Sequence, residues 1–369
     1  MKYIRMPIEI ESPEQLGYDT IECNLAESSV HDAVFQDLNL NLNELVLAYG
    51  HHLGKPELRE LLAKRYASIK SDDILITAGA AAALFIVATA LLEKNDHLIV
   101  LRPNYATNIE TPRAIGCEID CIDLNFETGF QPDVSDIAAR IKSNTRIISI
   151  TTPHNPTGIV ISESLLKQLI QLAEKHNCIL LVDETYRDIS PNGLPPLAAT
   201  FSDNVISVSS VSKAFGLPGI RIGWIITKNK NIQETFLAAK EQIFLCNSVV
   251  DEEIAYQFLK RQSEYLPAIQ QKIAVNFKIL EGWMKQHPYL EWVKPQAGVI
   301  SFPRLKKEVS VNLDAFYDSL YYQYKTLVGP GHWFEMDKRY MRIGYGWPTT
   351  AALQKGLENI THALEKHLV

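Results

Sequence analysis

The sequence predicts an α/β protein: a large domain around a mostly parallel central sheet, with a smaller α+β domain beside it. Three observations carry this. The short apolar runs Ile74–Thr77, His97–Leu101, Arg146–Thr151, Cys178–Val182, Asn204–Ser209 and Arg221–Thr227 read as strands. Helical patterns such as Ala80–Glu93 and Glu163–His176 lie between several of them, and strands that alternate with helices pair in parallel and are covered on both faces. After Ile232 the pattern is mostly helical to about His287, then returns to shorter elements, which marks the second unit. With 369 residues and 46% apolar content, the chain is long enough for both.

In chain order, Met1–Asn43 is mixed and polar, with Glu22–Leu25 a candidate short strand, and reads as an arm rather than a domain. Tyr49 to Arg59 is a glycine-punctuated loop feeding an amphipathic helix: Pro56 fits the first helical position, and Leu58, Leu61, Leu62, Tyr66 and Ile69 repeat at helical spacing. Residues 74–92 carry no charge and approach the length of a membrane span. Gly79 divides them, however, into a β-branched piece and an Ala-rich piece, so strand, glycine turn and buried helix is the better reading. Leu165, Leu166, Leu169, Ile170, Leu172 and Ala173 give the helix Glu163–His176 its apolar face. The C-terminal part offers Glu291–Lys294, Val299–Phe302, Leu313–Tyr322, Lys325–Val328, Tyr340–Gly344 and Thr349–Leu368 as short strands and helices.

The net charge of −7 and the lack of a long basic run argue against a nucleic-acid partner. In Met1–Gln15, Glu9, Glu11 and Glu14 stand where a secretory signal needs an apolar run. Five scattered cysteines give no disulfide framework and suit a reducing cytoplasm. Cys117 and Cys121 form a Cys-x3-Cys without a second ligand pair, which reads as packing, so no metal is expected.

Chemistry concentrates at strand ends. Lys213 stands between the apolar run ending at Ser209 and a Gly/Pro-rich turn. Burying an ammonium there costs several kcal/mol unless it is paired or loses its charge, and desolvation lowers the pKa and frees the amine as a nucleophile. Gly79-Ala80-Ala81 lies where a strand gives way to a helix N-terminus, whose unpaired N–H groups suit a phosphate. Asp183 ends a buried strand and needs a cationic partner. Ser210-Val211-Ser212-Lys213 is also a Ser-x-x-Lys, with Ser202-Asp203-Asn204 nearby. That triplet precedes the Ser-x-x-Lys and no Lys-Thr-Gly follows, so a serine acyl-transfer site is rejected.

The run Ser210-x-Ser212-Lys213-x-Phe215-Gly216-Leu217-Pro218-Gly219-x-Arg221-x-Gly223 resembles the lysine segment of class I/II aminotransferases. These are fold type I enzymes that use pyridoxal 5′-phosphate (PLP). His154-Asn155-Pro156-Thr157-Gly158 and Asp183-x-x-Tyr186 resemble two further segments, in the family's order, and the likeness runs from about residue 22 to the C-terminus. It implies a large PLP-binding domain over 46–280 and a small domain from 1–45 and 281–369.

The resemblance also implies roles. Lys213 forms the Schiff base, with Asp183 on the pyridine nitrogen and Asn155 and Tyr186 on the phenolic oxygen; Lys213, Asp183 and Tyr186 are the catalytic set. Gly79, Ala80, Ala81, Ser210 and Arg221 hold the phosphate, Tyr105 stacks on the ring, and Tyr49 reaches the partner's cofactor across a homodimer interface. Arg342, in Arg339-Tyr340-Met341-Arg342-Ile343-Gly344, grips the substrate α-carboxylate, Asn155 is a second substrate-binding residue, and Gly329–Phe334 matches a substrate-side turn. Asn24–Val30 lacks the glycine that the family often carries there.

The expected activity is ping-pong transfer of an amino group from an L-amino acid to a 2-oxo acid, in the cytoplasm. The alternative is another PLP reaction on the same fold: β-elimination, decarboxylation, cyclisation or oxygen-dependent amino-acid oxidation. No second arginine is assigned to a side-chain carboxylate, which argues against a dedicated aspartate enzyme. Tyr18, His31, His51, His52 and Trp333 are further candidates to line the pocket.

Overall fold

A computed structural model describes residues 1–191 and 193–369. Strand β1 (Cys23–Asn24) belongs to the N-terminal arm. The central sheet is built from β2 (Ile74–Thr77), β3 (His97–Arg102), β4 (Glu118–Asp123), β5 (Thr145–Thr151), β6 (Ile179–Asp183), β7 (Val205–Ser210) and β8 (Gly223–Ile226). Its seven strands run in the order β2-β8-β7-β6-β5-β3-β4. Only β8 is antiparallel to its neighbours, so the sheet is mostly parallel.

The strands are apolar at nearly every position because both faces are covered. Ile74, Ile76, Ile99, Leu101, Leu180, Val182 and Val205 point into one core; Leu75, Leu98, Val100, Leu181, Ile206 and Val208, which alternate with them along the strands, point into the other. The helix Glu163–Lys175 packs Leu166, Leu169 and Ile170 into the first core. The helix Gly79–Leu91 and Phe236 of the helix Lys230–Phe244 fill the second. Each such side chain contributes about 1.5–3 kcal/mol of burial. The uncharged run 74–92 is thus strand, glycine and buried helix, and among the described residues no helix is long and apolar enough to cross a membrane.

Three local expectations need correction. The helix that begins at Pro56 ends at Ala63, not near Ile69. Arg65 and Tyr66 make i→i−3 turn bonds instead, which lets Arg65 pair with Asp188 and places the Arg187 guanidinium over the Tyr66 ring. Strand β4 was not expected, because at the sheet edge it carries Glu118, Asp120 and Asp123 and of its six residues only Ile122 is buried. The helix Thr107–Ile115 was missed because it contains Pro112 and polar residues.

The C-terminal part supplies β9 (Leu290–Glu291), β10 (Ile300–Ser301), β11 (Arg304–Leu305), β12 (Thr326–Leu327), β13 (Gly329–Pro330) and β14 (Met341–Gly344). β14 is the middle strand of an antiparallel β10-β14-β13 sheet, and β9 pairs with β11. The N-terminal arm joins this part: β1 pairs in parallel with β12, and Gly344 N–H donates to the Leu25 carbonyl at 2.7 Å. A Cβ on Gly344 would lie 1.9 Å from the Glu27 carbonyl oxygen, so glycine lets the arm run flush against β14. Ahead of β1, two short helices, Pro7–Ile10 and Pro13–Leu16, each start on proline, and the second ends at Gly17 with φ +92°.

Candidate active site

Parallel strands deliver their last residues to one edge of the sheet, and there the structure opens a cavity of about 310 Å³. Thr151 ends β5, Asp183 ends β6 and Ser210 ends β7; all three line it.

Lys213, three residues beyond β7, lines the cavity, and burial lowers the pKa of its amine, opposed by Glu27. Its segment is fixed from the arm: Val30 N–H donates to the Lys213 carbonyl at 3.0 Å and Ala33 N–H to the Gly216 carbonyl at 2.8 Å. Gly216 has φ +65°, and a Cβ there would sit 2.2 Å from the His31 carbonyl oxygen, so this turn requires glycine.

Asp183 is 5% exposed, and burial pushes its carboxyl above the usual range. Its Oδ1 accepts from Thr185 N–H at 3.1 Å and Thr185 Oγ1 at 2.6 Å, and it forms no ion pair among the described residues. Tyr105 lines the cavity beside it, positioned by Asn104, which donates to the Leu101 carbonyl at 3.0 Å and accepts from Thr151 Oγ1 at 2.9 Å.

Ala80, Ala81, Ser210, Ser212 and Arg221 form another wall. Arg221 takes φ +45°, an uncommon conformation for a side-chain-bearing residue, and its Nη1 donates to the Pro218 carbonyl at 2.9 Å. A Cβ on Gly79 would lie 2.5 Å from Arg221 Nη2; Gly79 therefore sits beneath the guanidinium rather than on the cavity wall.

The turn His154–Gly158 is closed by Gly158 N–H on the His154 carbonyl at 2.7 Å and by a His154 Nδ1 to Thr157 Oγ1 bond of 2.7 Å. Burial drops the His154 pKa to about 4, so the ring is neutral. Asn155 faces the cavity, and its Oδ1 accepts from Arg342 Nη1 at 3.1 Å. Arg342 Nη2 donates to the Ala26 carbonyl at 2.8 Å, while its Nε is buried with no partner. The Tyr186 hydroxyl donates to the Ser28 carbonyl at 2.8 Å, and burial raises its pKa to about 12.

Tyr49 is 84% exposed and lies outside this cavity. Trp333 lines it, whereas Tyr18, His31, His51 and His52 do not; Tyr18 acts at one remove, donating to Glu27 at 2.9 Å. Sequence reasoning missed Glu9, Ser12, Glu14 and Glu27, all on the wall. Pro7 and Pro13, each with an acidic residue in the turn it opens, are readable helix starts, but nothing local tells that these helices fold over the sheet edge.

A family model described as aminotransferase class I and II matches residues 22–360. The chain belongs to this family. Capreomycidine synthase from Streptomyces vinaceus is 27% identical over 362 residues, 95% of this chain and 92% of that protein. An aspartate aminotransferase from Pyrococcus horikoshii is 26% identical over 329 residues, 86% and 83% of the two chains. The crystal structure of a PLP-dependent aminotransferase from Streptococcus suis superposes with a TM-score of 0.91 at 28% identity, covering 100% of this chain and 99% of that one.

The family's cofactor is PLP, and the residues present fit it. Arg221, two serine hydroxyls and a glycine-led helix N-terminus suit a phosphate; an uncompensated buried carboxylate suits a protonated ring nitrogen; a desolvated amine suits a carbonyl carbon. Bound there, the cofactor supplies an electron sink for charge that develops at a substrate α-carbon.

Proposed function

We propose that the protein is a homodimeric aminotransferase that moves an amino group from an L-amino acid to a 2-oxo acid by a ping-pong mechanism. The observation that carries this reading is Arg342: 4% exposed and held by Asn155 and Ala26, it lines the cavity that holds Lys213 and is paired with no carboxylate among the described residues. A guanidinium so placed suits a substrate carboxylate, which its fork geometry binds in two-point fashion.

Each residue then has one task. Arg342 holds the α-carboxylate and so orients the α-carbon toward Lys213. The Lys213 amine, its pKa lowered by burial, takes the proton from the α-carbon and returns it at the adjoining cofactor carbon. Asp183 stays ionised against the ring nitrogen, Asn155 and Tyr186 face the phenolic oxygen, and Tyr105 covers the ring. Ala80, Ala81, Ser210 and Arg221 hold the phosphate, with Gly79 leaving room for the guanidinium.

The exposed run Val46, Leu47 and Tyr49 supports a second copy as partner, with Tyr49 reaching the other subunit's phosphate. We divide the chain into a large domain, 46–280, and a small one, 1–45 with 281–369; the pairing of β1 with β12 supports grouping the two termini.

One observation favours a second reading, another PLP reaction such as cyclisation: the relative that matches 95% of this chain is a synthase. The PLP-loaded protein should therefore be incubated with a panel of amino acids, with and without an acceptor oxo acid. Conversion of the donor to its oxo acid, with turnover only when acceptor is present, supports the aminotransferase. Donor consumed to a rearranged product, with acceptor making no difference, moves the function to the second reading.

A further inference from the structure

Charge is unevenly partnered in the cavity. Its walls carry four carboxylates, Glu9, Glu14, Glu27 and Asp183, and three cations, Lys213, Arg221 and Arg342. In the proposed reaction Arg221 faces phosphate, Asp183 the ring nitrogen, Lys213 the carbonyl carbon and Arg342 the substrate carboxylate. Three glutamates remain. Among the described residues none of them forms an ion pair, and the side-chain hydrogen bond to Glu27 comes from a neutral donor, Tyr18.

The wall that carries them is built, not loose. Glu11, on the same N-terminal segment as Glu9 and Glu14, accepts from Trp333 Nε1 at 2.7 Å and His332 Nε2 at 2.8 Å, which pins the two short helices beside β13. Arg5, the nearby cation of the arm, donates to Gln15 Oε1 at 3.1 Å and the Glu9 carbonyl at 3.4 Å rather than to a carboxylate of the wall. Burial raises the carboxyl pKa of Glu9, as does its neighbour Glu14, and burial likewise raises that of Glu27; Lys213 opposes both shifts from a distance, without forming an ion pair.

Arg342 is the second, independent feature. Its guanidinium lines the same cavity and is paired with no carboxylate among the described residues, so the site presents positive charge at one point and a carboxylate wall at another. We propose that the amino-acid substrate carries a cation at the end of its side chain, a guanidinium or ammonium, seated against Glu9, Glu14 and Glu27 while its α-carboxylate meets Arg342. This rests on the reading of Arg342 as the α-carboxylate site. A dicarboxylic donor would set its second carboxylate against three glutamates, and a small neutral donor would leave them unpaired.

The test is titration of the PLP-loaded protein with L-arginine, L-ornithine, L-lysine, L-alanine and L-glutamate. Dissociation constants are read by calorimetry, and amino transfer to an acceptor oxo acid is assayed separately. The cationic amino acids should bind at least about tenfold more tightly than L-alanine, with L-glutamate weakest. Glu27→Gln and the double variant Glu9→Gln/Glu14→Gln should each reduce the arginine-to-alanine affinity ratio by about tenfold. Equal or tighter binding of L-alanine or L-glutamate overturns the proposal, as does an unchanged ratio in the variants; the wild-type panel decides even where a variant fails to fold. Tight cationic binding without transfer to the oxo acid keeps the substrate class and overturns the aminotransferase reading. Transfer from neutral donors alone does the reverse.

Discussion

Arg342 Nη1 and Asn155 Oδ1 meet at 3.1 Å, and this bond joins the middle strand of the C-terminal sheet to the turn after β5. Asn155→Ala leaves a buried guanidinium N–H without its acceptor, a loss of about 1–3 kcal/mol. The KM for the amino-acid donor should rise about tenfold. Arg342→Ala removes the charge itself and should raise KM about a hundredfold. Steady-state kinetics on the donor half-reaction checks both, and an unchanged KM in the Asn155 variant would show that this bond does not position Arg342.

Gly79→Ala tests the phosphate end. Gly79 has φ +82°, and the added methyl would lie 2.5 Å from Arg221 Nη2, so the substitution both strains the backbone and displaces the guanidinium. The strain alone is worth about 1–3 kcal/mol. PLP affinity, read by absorbance titration of the cofactor-free protein, should fall, and the melting temperature should drop more with PLP than without it. Undiminished PLP affinity would remove Arg221 from the phosphate site.

Where a residue's place at the sheet edge is set by its neighbours in sequence, it was legible before the structure. Lys213, Asp183 and Ser210 could be placed because apolar strands end beside them, and strand ends in such a sheet converge. Asn155 and Arg342 were legible only by resemblance; their contact spans 187 residues and no local pattern encodes it. The glutamate wall was illegible for a different reason. Short helices led by proline read as an arm, and long-range contacts, the Glu11 bonds to His332 and Trp333 and the burial of Ile8 in the core, carry them to the cavity. Edge strand β4 hid its periodicity under charge, since it buries little.

Lys213 and Asp183 separate chemistry from binding. Lys213→Ala should abolish turnover while PLP still binds weakly, seen as loss of the lysine-dependent absorbance band with retained, dialysable cofactor. Full amino transfer by that variant overturns the assignment. Asp183→Asn keeps an oxygen to accept from Thr185 but loses the charge, so kcat should fall by about a hundredfold or more while PLP affinity changes less. An unchanged kcat would take Asp183 off the ring nitrogen.

Glu184, next to Asp183, gives the chain a pH-dependent stability of known sign. It is buried, and its carboxylate accepts from Ala198 N–H at 3.2 and 3.4 Å. Burial lifts its pKa from 4.5 to about 7, against the opposing pull of Ser207 and Arg187. Between these values the folded chain keeps a proton that the unfolded chain has released, so stability falls as pH rises. The contribution is whole below about pH 4.5 and is lost as pH passes through about 7, a span of about 3 kcal/mol. Glu184→Gln retains a carbonyl acceptor for Ala198 and cannot titrate. Urea denaturation from pH 5 to 8 should therefore show a smaller decline for the variant, with its midpoint above that of the wild type at pH 8. Parallel profiles for the two proteins would mean that Glu184 remains ionised throughout and that another group sets the slope.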